Sequence, residues 1–212
     1  MNIRMRQYIE DNIIPLYDTF DAAHRRDHVA YVISQSLELS KHYDVEQDMV
    51  FAVAAYHDTG LSVDRKTHHL ESGRILRSDK MLLRWFSPEQ IEVMAQAVED
   101  HRASSDHEPR SIYGRIVAEA DRQIDIDTIV RRTIQFGLSH YPGLDREGHW
   151  ERTLAHLLEK YAEGGYLRLW IPESPNAARL KELQALIKDR SSLRKLFDRM
   201  FDSLALTPGC GQ

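Results

Sequence analysis

The sequence predicts an all-α protein, and three observations carry that prediction. Apolar residues recur at helical spacing, as in Val50, Val53, Ala54 and His57, which fall at i, i+3, i+4 and i+7. Runs rich in Leu, Ala, Arg and Glu favour helices, and only 10 Gly and 7 Pro interrupt 212 residues. Helix starts are also explicit. Ser87-Pro88-Glu89-Gln90 offers a serine cap, proline at the first position and glutamine three residues after the cap.

Taken in order, residues 2–14 read as a short amphipathic helix through Ile3, Tyr8, Ile9 and Ile13, stopped near Pro15, and a second piece runs from about Leu16 to Ala23. A longer helix begins near Asp27, carries His28, Val29, Val32, Ile33 and Leu39, and ends near His42-Tyr43. Asp44 reads as the N-cap of the helix from Met49 to His57, and Thr59-Gly60 turns the chain away. After a loop from Gly60 to Arg65, Thr67 to Leu76 reads as a helix. Gly73 inside it costs about 1 kcal/mol against alanine, so something must approach it closely: a neighbouring helix or a polar centre. Ser87 opens a helix to about His101, and a polar loop covers 103–110. Helices follow from Ser111 to Arg122 and from near Asp127 to His140, with a break around Gln123 to Asp125. Tyr141-Pro142-Gly143 is a turn, and Glu147 to Ala162 is a helix stopped by Gly164-Gly165. Tyr166 to Ile171 is the one segment with strand character, though it lacks a partner. Ser174-Pro175 starts a last pair of helices, roughly 175–189 and 191–204.

Composition bounds the function classes. Hydrophobic residues at 42% and charged residues at 29% describe an ordinary soluble globular chain able to bury a sizeable core. No repeat, low-complexity tract or linker divides it, so one domain over 1–212 is expected. A net charge of −5 argues against broad nucleic-acid binding, where a basic surface is expected. No apolar run approaches the length of a membrane span, and Met1 to Gln7 has no signal-peptide core. The single cysteine, Cys210, permits no intrachain disulfide and fits a reducing compartment. Cytoplasmic location is the expectation.

The polar residues on apolar stripes point further. His57 lies on the buried stripe of its helix and Asp58 at the end, and burying both costs several kcal/mol unless something satisfies them. A structural His–Asp hydrogen bond would do so, and so would a divalent cation. The pair has company, however. His28 stacks with Val32 and Leu39, His69 with Gly73 and Leu76, His101 follows Met94 and Val98, and Asp121 lies between Val117 and Ile124. Four histidines and two aspartates on separate stripes are better explained by one shared metal centre.

His28, then His57-Asp58-x-Gly60, then Ala120-Asp121-Arg122, in that order and at that spacing, resembles the HD superfamily of metal-dependent phosphohydrolases. His69-x-x-x-Gly73 and His101 match the additional histidines of members that hold two metals. The resemblance covers about residues 20–130. It implies a single HD-domain-like helical bundle, with additional C-terminal helices at about 147–205. It also implies a ligand set of His28, His57, Asp58 and Asp121 for one divalent ion, with Asp58 bridging to a second held by His69 and His101. Mn, Fe, Co, Ni, Zn and Mg are not distinguished.

The implied activity is cleavage of a phosphate ester or phosphoanhydride of a small phosphorylated metabolite, nucleotides included, by metal-activated water. Asp58 would act as the bridge. Lys66, in the loop after the His-Asp pair, would orient the phosphate, and Tyr166 to Trp170 would close one side of the pocket. Arg102 and Arg122, each beside a ligand, are further cations in reach. His24, His42, His68 and His107 read as surface or loop histidines.

The chain departs from its small nucleotide-hydrolysing relatives at Arg25, where an acidic residue is usual, and at Tyr31, where they carry arginine. In Glu119-Ala120-Asp121-Arg122-Gln123-Ile124-Asp125 the last aspartate is displaced by one. The ligands survive these departures, but substrate does not transfer with them. Two other readings share the residues: an HD-type di-iron oxygenase, and a non-catalytic metal- or nucleotide-binding regulatory module. Neither nucleic acid nor membrane is an expected partner, and a homodimer is compatible with the sequence.

Overall fold

The computed structural model describes residues 2–20, 25–105 and 107–205, and among these every regular element is helical. His24 and the tail with Cys210 lie outside the described residues. The backbone divides into two compact units. The first comprises residues up to Arg122 together with Leu169–Ser174, and the second comprises Gln123–Arg168 and the residues from Pro175 onward.

The first unit contains α1 (Ile3–Asn12), α2 (Arg26–Ser40), α3 (Gln47–Tyr56), α4 (His68–Ser78), α5 (Pro88–Glu99) and α6 (Ile112–Asp121), with short 3-10 turns at Ile14–Thr19, Thr59–Ser62 and Lys80–Arg84. Its centre is α3. Every residue from Met49 to Tyr56 is buried, so the helix is apolar all round and needs neighbours on every side. It packs against α1, α2, α4, α5 and α6. Because its whole lateral surface is spent on the core, polar chemistry can leave it only at an end.

The helix starts follow local chemistry. At α5 the Gln90 N–H donates to Ser87 Oγ at 3.3 Å, and the Ser87 N–H to Gln90 Oε1 at 2.9 Å, closing the expected capping box. Ser111 Oγ accepts from the Gly114 N–H and opens α6. The expectation for α3 needs correction. Its N-cap is Glu46, not Asp44, because Val45 packs against the core, and the Glu46 N–H is taken by the Tyr113 hydroxyl at 3.1 Å.

The second unit contains α7 (Ile126–His140), α8 (Arg146–Tyr161), α9 (Asn176–Lys188) and α10 (Arg190–Ala205). Aspartates cap α7 and α8, Asp125 accepting from the Thr128 N–H and Asp145 from the Gly148 N–H, each at 2.8 Å. Phe197 on α10 meets Trp150 on α8 edge-on, at 5.4 Å between ring centroids, and Arg194 lies over the same Trp150 ring.

The segment with strand character forms no strand. The N–H groups of Tyr166 and Leu167 go to the Glu159 and Lys160 carbonyls at 3.0 Å each, satisfying the end of α8. In the first unit, the Trp170 N–H goes to the buried carboxylate of Glu119 at 2.7 Å. These bonds replace the ladder a strand would need. No helix among the described residues is long and apolar enough to cross a membrane.

Two glycines are required by close approach. Gly73 faces α5, where an added Cβ would stand 2.7 Å from the Glu99 side chain and 3.1 Å from the Ala95 carbonyl oxygen, so a neighbouring helix accounts for it. Gly60 lets the turn after Asp58 lie against α4: its N–H donates to Ser72 Oγ at 2.8 Å, and a Cβ would collide with the His68 carbonyl and stand 2.6 Å from the Ser72 nitrogen. Both obstacles are backbone, so neither yields easily. Gly60→Ala is expected to lower stability by about 2 kcal/mol or more in denaturant titrations. Gly143→Ala, whose Cβ meets nothing within 4 Å, should stay within about 0.5 kcal/mol of the parent.

Candidate metal centre

Six side chains converge where five helices begin or end. His28 lies in the first turn of α2, His57 follows the last residue of α3 with Asp58 next to it, and His68 opens α4. His101 stands just beyond α5, and Asp121 is the last residue of α6.

One half of the centre brings His28 Nε2 to 3.2 Å from His57 Nε2, with Asp58 Oδ2 at 3.6 and 3.2 Å from the two. Asp121 Oδ1 completes it at 3.2 Å from His28 and 3.9 Å from His57. In the other half, His68 Nε2 and His101 Nε2 lie 3.3 Å apart, and each is 3.4 Å from Asp58 Oδ1. The two oxygens of Asp58 thus face separate pairs of imidazoles.

The tautomers follow from the backbone. His57 Nδ1 lies 2.7 Å from the Ala54 carbonyl, His101 Nδ1 2.6 Å from that of Val98, and His68 Nδ1 2.9 Å from that of Arg65. A carbonyl only accepts, so each Nδ1 carries the hydrogen and each neutral ring turns a bare Nε2 lone pair inward. Two bare nitrogens at 3.3 Å, His68 and His101, repel unless a proton or a cation stands between them. Bonds of about 2.0–2.2 Å from nitrogen or oxygen to a divalent ion put neighbouring donor atoms about 3 Å apart, close to the spacing here. The donor set fits a divalent cation in each half, with His28, His57 and Asp58 for one, Asp121 standing beside its two imidazoles, and Asp58, His68 and His101 for the other.

Electrostatics agree with that use. With protons on Nε2 in the place of a cation, burial would raise the Asp58 carboxyl, but the His57 charge and hydrogen bonds from His101, His28 and His57 hold it well below the usual carboxylate range. Asp121 is likewise held down by His28 against its own burial. For His28, burial pulls down while Asp121 and Asp58 pull up, and the carboxylates win, bringing it to about 9. Burial and the neighbouring charges of His101 and Arg102 push His69 down to about 4.

Neighbours hold the ligands in place. The buried Tyr17 hydroxyl donates to the Ala55 carbonyl at 2.9 Å and accepts from the Asp58 N–H at 3.2 Å, bracing the end of α3. Asp100, buried beside His101, takes the Arg110 N–H at 2.7 Å and its Nη2 at 2.8 Å, tying the end of α5 to the following loop.

Five of the six expected ligands meet here: His28, His57, Asp58, His101 and Asp121. The sixth, His69, lies apart from them. His68, read from the sequence as a surface histidine, occupies the place expected of His69. Successive helical residues differ by about 100° in direction, so only one of the two can face Asp58. His68 lies one turn before Ser72, which is bonded to the Gly60 N–H, and so shares the face turned to the Asp58 turn. His69 lies one turn before Gly73 and shares the face turned to α5, with its Nδ1 buried and unpartnered. Lys66 is exposed, with its carbonyl accepting from Arg102 Nη1 at 3.0 Å. Arg122 is buried, its guanidinium on the Ala118 carbonyl. Tyr17 and Ser72 went unrecognised in the sequence, where nothing separates them from other core-facing hydroxyls.

Residues 25–123 match the HD domain family, a stretch that spans every candidate ligand. The chain contains an HD domain. Among solved structures, a predicted HD superfamily hydrolase from an uncultured Thermotogales bacterium is 18% identical, with 72% of this chain and 89% of that chain covered and a TM-score of 0.49. No curated protein matches the chain.

Two outcomes test this HD centre. His68→Ala should lower the metal bound per chain in elemental analysis while His69→Ala leaves it unchanged; the reverse result would restore His69 as the ligand. The raised His28 also makes the chelated protein pH-sensitive. A group lifted from 6.5 to about 9 on folding contributes stability that is complete below 6.5 and is lost as pH climbs through about 9. Melting temperatures in chelator should therefore fall across that window, and added divalent cation, which replaces the proton, should remove most of the slope.

Proposed function

We propose that this HD domain hydrolyses a phosphate ester or phosphoanhydride of a small phosphorylated metabolite, with nucleotides among the candidates. The observation that supports it is the placement of Asp58, whose two oxygens each face a separate pair of histidines. Divalent ions bound there would supply an activated water near neutral pH and neutralise phosphoryl oxygens.

The chain's own residues do the rest. Asp58 is kept ionised by His57, His101 and His28, so it can bridge without competing for a proton. Asp121, whose side chain is 24% exposed against 5% for Asp58, marks the side on which a substrate reaches the centre. Tyr17 and the apolar body of α3 keep water from the opposite side. The two carboxylates balance only part of the charge of two divalent ions, so the loaded centre attracts an anion.

The test is release of orthophosphate from a panel of phosphomonoesters, nucleotides and pyrophosphates, with manganese, magnesium, cobalt or iron supplied in turn. Hydrolysis of at least one compound is expected, with a loss of about a thousandfold or more in Asp58→Ala together with its metal. A fully loaded protein that releases no phosphate from any of them, or that consumes dioxygen instead, would overturn the reading.

A further inference from the structure

We infer that Arg102 is the side chain that grips the substrate's phosphoryl group at the His68–His101 half of the centre. The inference rests on the phosphohydrolase reading and names the protein's own anion anchor for it.

Arg102 directly follows the ligand His101 and is half-buried. Its Nη1 donates to the Lys66 carbonyl at 3.0 Å, so the guanidinium lies across the gap between the end of α5 and the loop that leads into α4. Lys66 precedes His68 by two residues and Arg102 follows His101, so this bond joins the two stretches of chain that carry those imidazoles. The other cations near the centre are committed. Arg110 is held by Asp100 and Glu99, Arg26 by Asp18, and Arg122 is buried on a carbonyl. Lys66 is exposed, and Asp64 takes both its backbone N–H and part of its charge. Among the described residues Arg102 has one neutral acceptor and no carboxylate partner.

A guanidinium carries five N–H donors in a planar fork. One of them, on the Lys66 carbonyl, fixes the plane, and the others remain to meet two phosphoryl oxygens side by side. Because the plane is fixed before the anion arrives, little side-chain entropy is lost on binding. Lys66 thereby changes role: its carbonyl aims the anchor, where the sequence suggested its ammonium as the anchor itself.

The competing account is that Arg102 only staples the loop to α5. Glutamine separates the two, since its amide can still donate to the Lys66 carbonyl but carries no charge. Orthophosphate is titrated calorimetrically into the manganese-loaded full chain, with metal content and melting temperature recorded for each variant. Arg102→Gln and Arg102→Ala should weaken orthophosphate about tenfold or more, as loss of a charge-assisted contact predicts. Manganese content should not change, Arg102→Lys should recover part of the affinity, and Lys66→Ala should stay within about twofold of the parent. Parental phosphate affinity in Arg102→Gln would overturn the inference, as would loss of manganese in both Arg102→Gln and Arg102→Ala. Hydrolysis that persists with phosphate affinity indifferent to Arg102→Gln sinks the anchor alone. A parent that neither binds nor releases phosphate sinks the hydrolase reading with it.

Discussion

The first unit depends on how the carboxylate of Asp58 is satisfied. It is almost wholly buried, and a bare buried carboxylate would cost many kcal/mol or simply take up a proton. Here both oxygens are faced by imidazoles, two on each side, and the backbone N–H of Asp58 is held by Tyr17. Supplying four imidazoles to one carboxylate requires four chain segments to arrive at the same point. That requirement explains the crowding around α3 better than apolar burial does. Gly60 exists so that the turn can touch α4, and Gly73 so that α4 can touch α5. Each glycine gives up helical or turn stability to shorten a distance between ligands.

Placing the ligands at helix ends also settles their protonation. The last turn of a helix has carbonyls without intrahelical partners. His57 and His101 use them, each Nδ1 lying within hydrogen-bond distance of the carbonyl three residues earlier. One bond therefore caps a helix and fixes a tautomer. Three of the helices that meet here, α3, α5 and α6, present their C-terminal ends, where the helix dipole is negative and favours a cation. The N-terminal ends of α2 and α4 act the other way, so the charge of the centre is set chiefly by Asp58 and Asp121.

How far the sequence could be read follows from the range of each interaction. Helix existence is local, so Ser87-Pro88-Glu89-Gln90 revealed its capping box, and the break near Gln123 emerged with Asp125 as the next cap. The convergence of these side chains was readable where motif and apolar stripe agreed, as at His28, His57-Asp58, His101 and Asp121. It was missed at His68 and His69, adjacent residues whose stripes differ only in which neighbour they face. Ser72 and Gly73 decide between them, but only once the partners of those two residues, the Gly60 N–H and the Glu99 side chain, are in place. The same limit applies to Asp44, a sound capping residue displaced by packing of Val45. It applies again to Tyr166–Ile171, whose composition suits a strand but whose N–H groups find helix ends and a carboxylate first.

A division of labour follows within this HD domain. Because α3 is buried on every side, the ligands at its end cannot shift without disturbing α2, α5 and α6 together. The loop 61–67 and the segment after His101 are bound to the frame by fewer ties: Arg102 to Lys66, Arg110 to Asp100, and Thr67 to Asp64. Substitutions there change what approaches the centre without moving the centre itself. Departures such as Arg25 and Tyr31 fall outside the ligand set in the same way. The candidate ligands and the proposed substrate anchor therefore lie on different parts of the chain, the first at helix ends locked to α3 and the second in the loops that lead away from them. The candidate ligands, which the oxygenase reading shares, therefore speak for metal binding, while on the proposed reading the choice of molecule falls to loop residues such as Arg102.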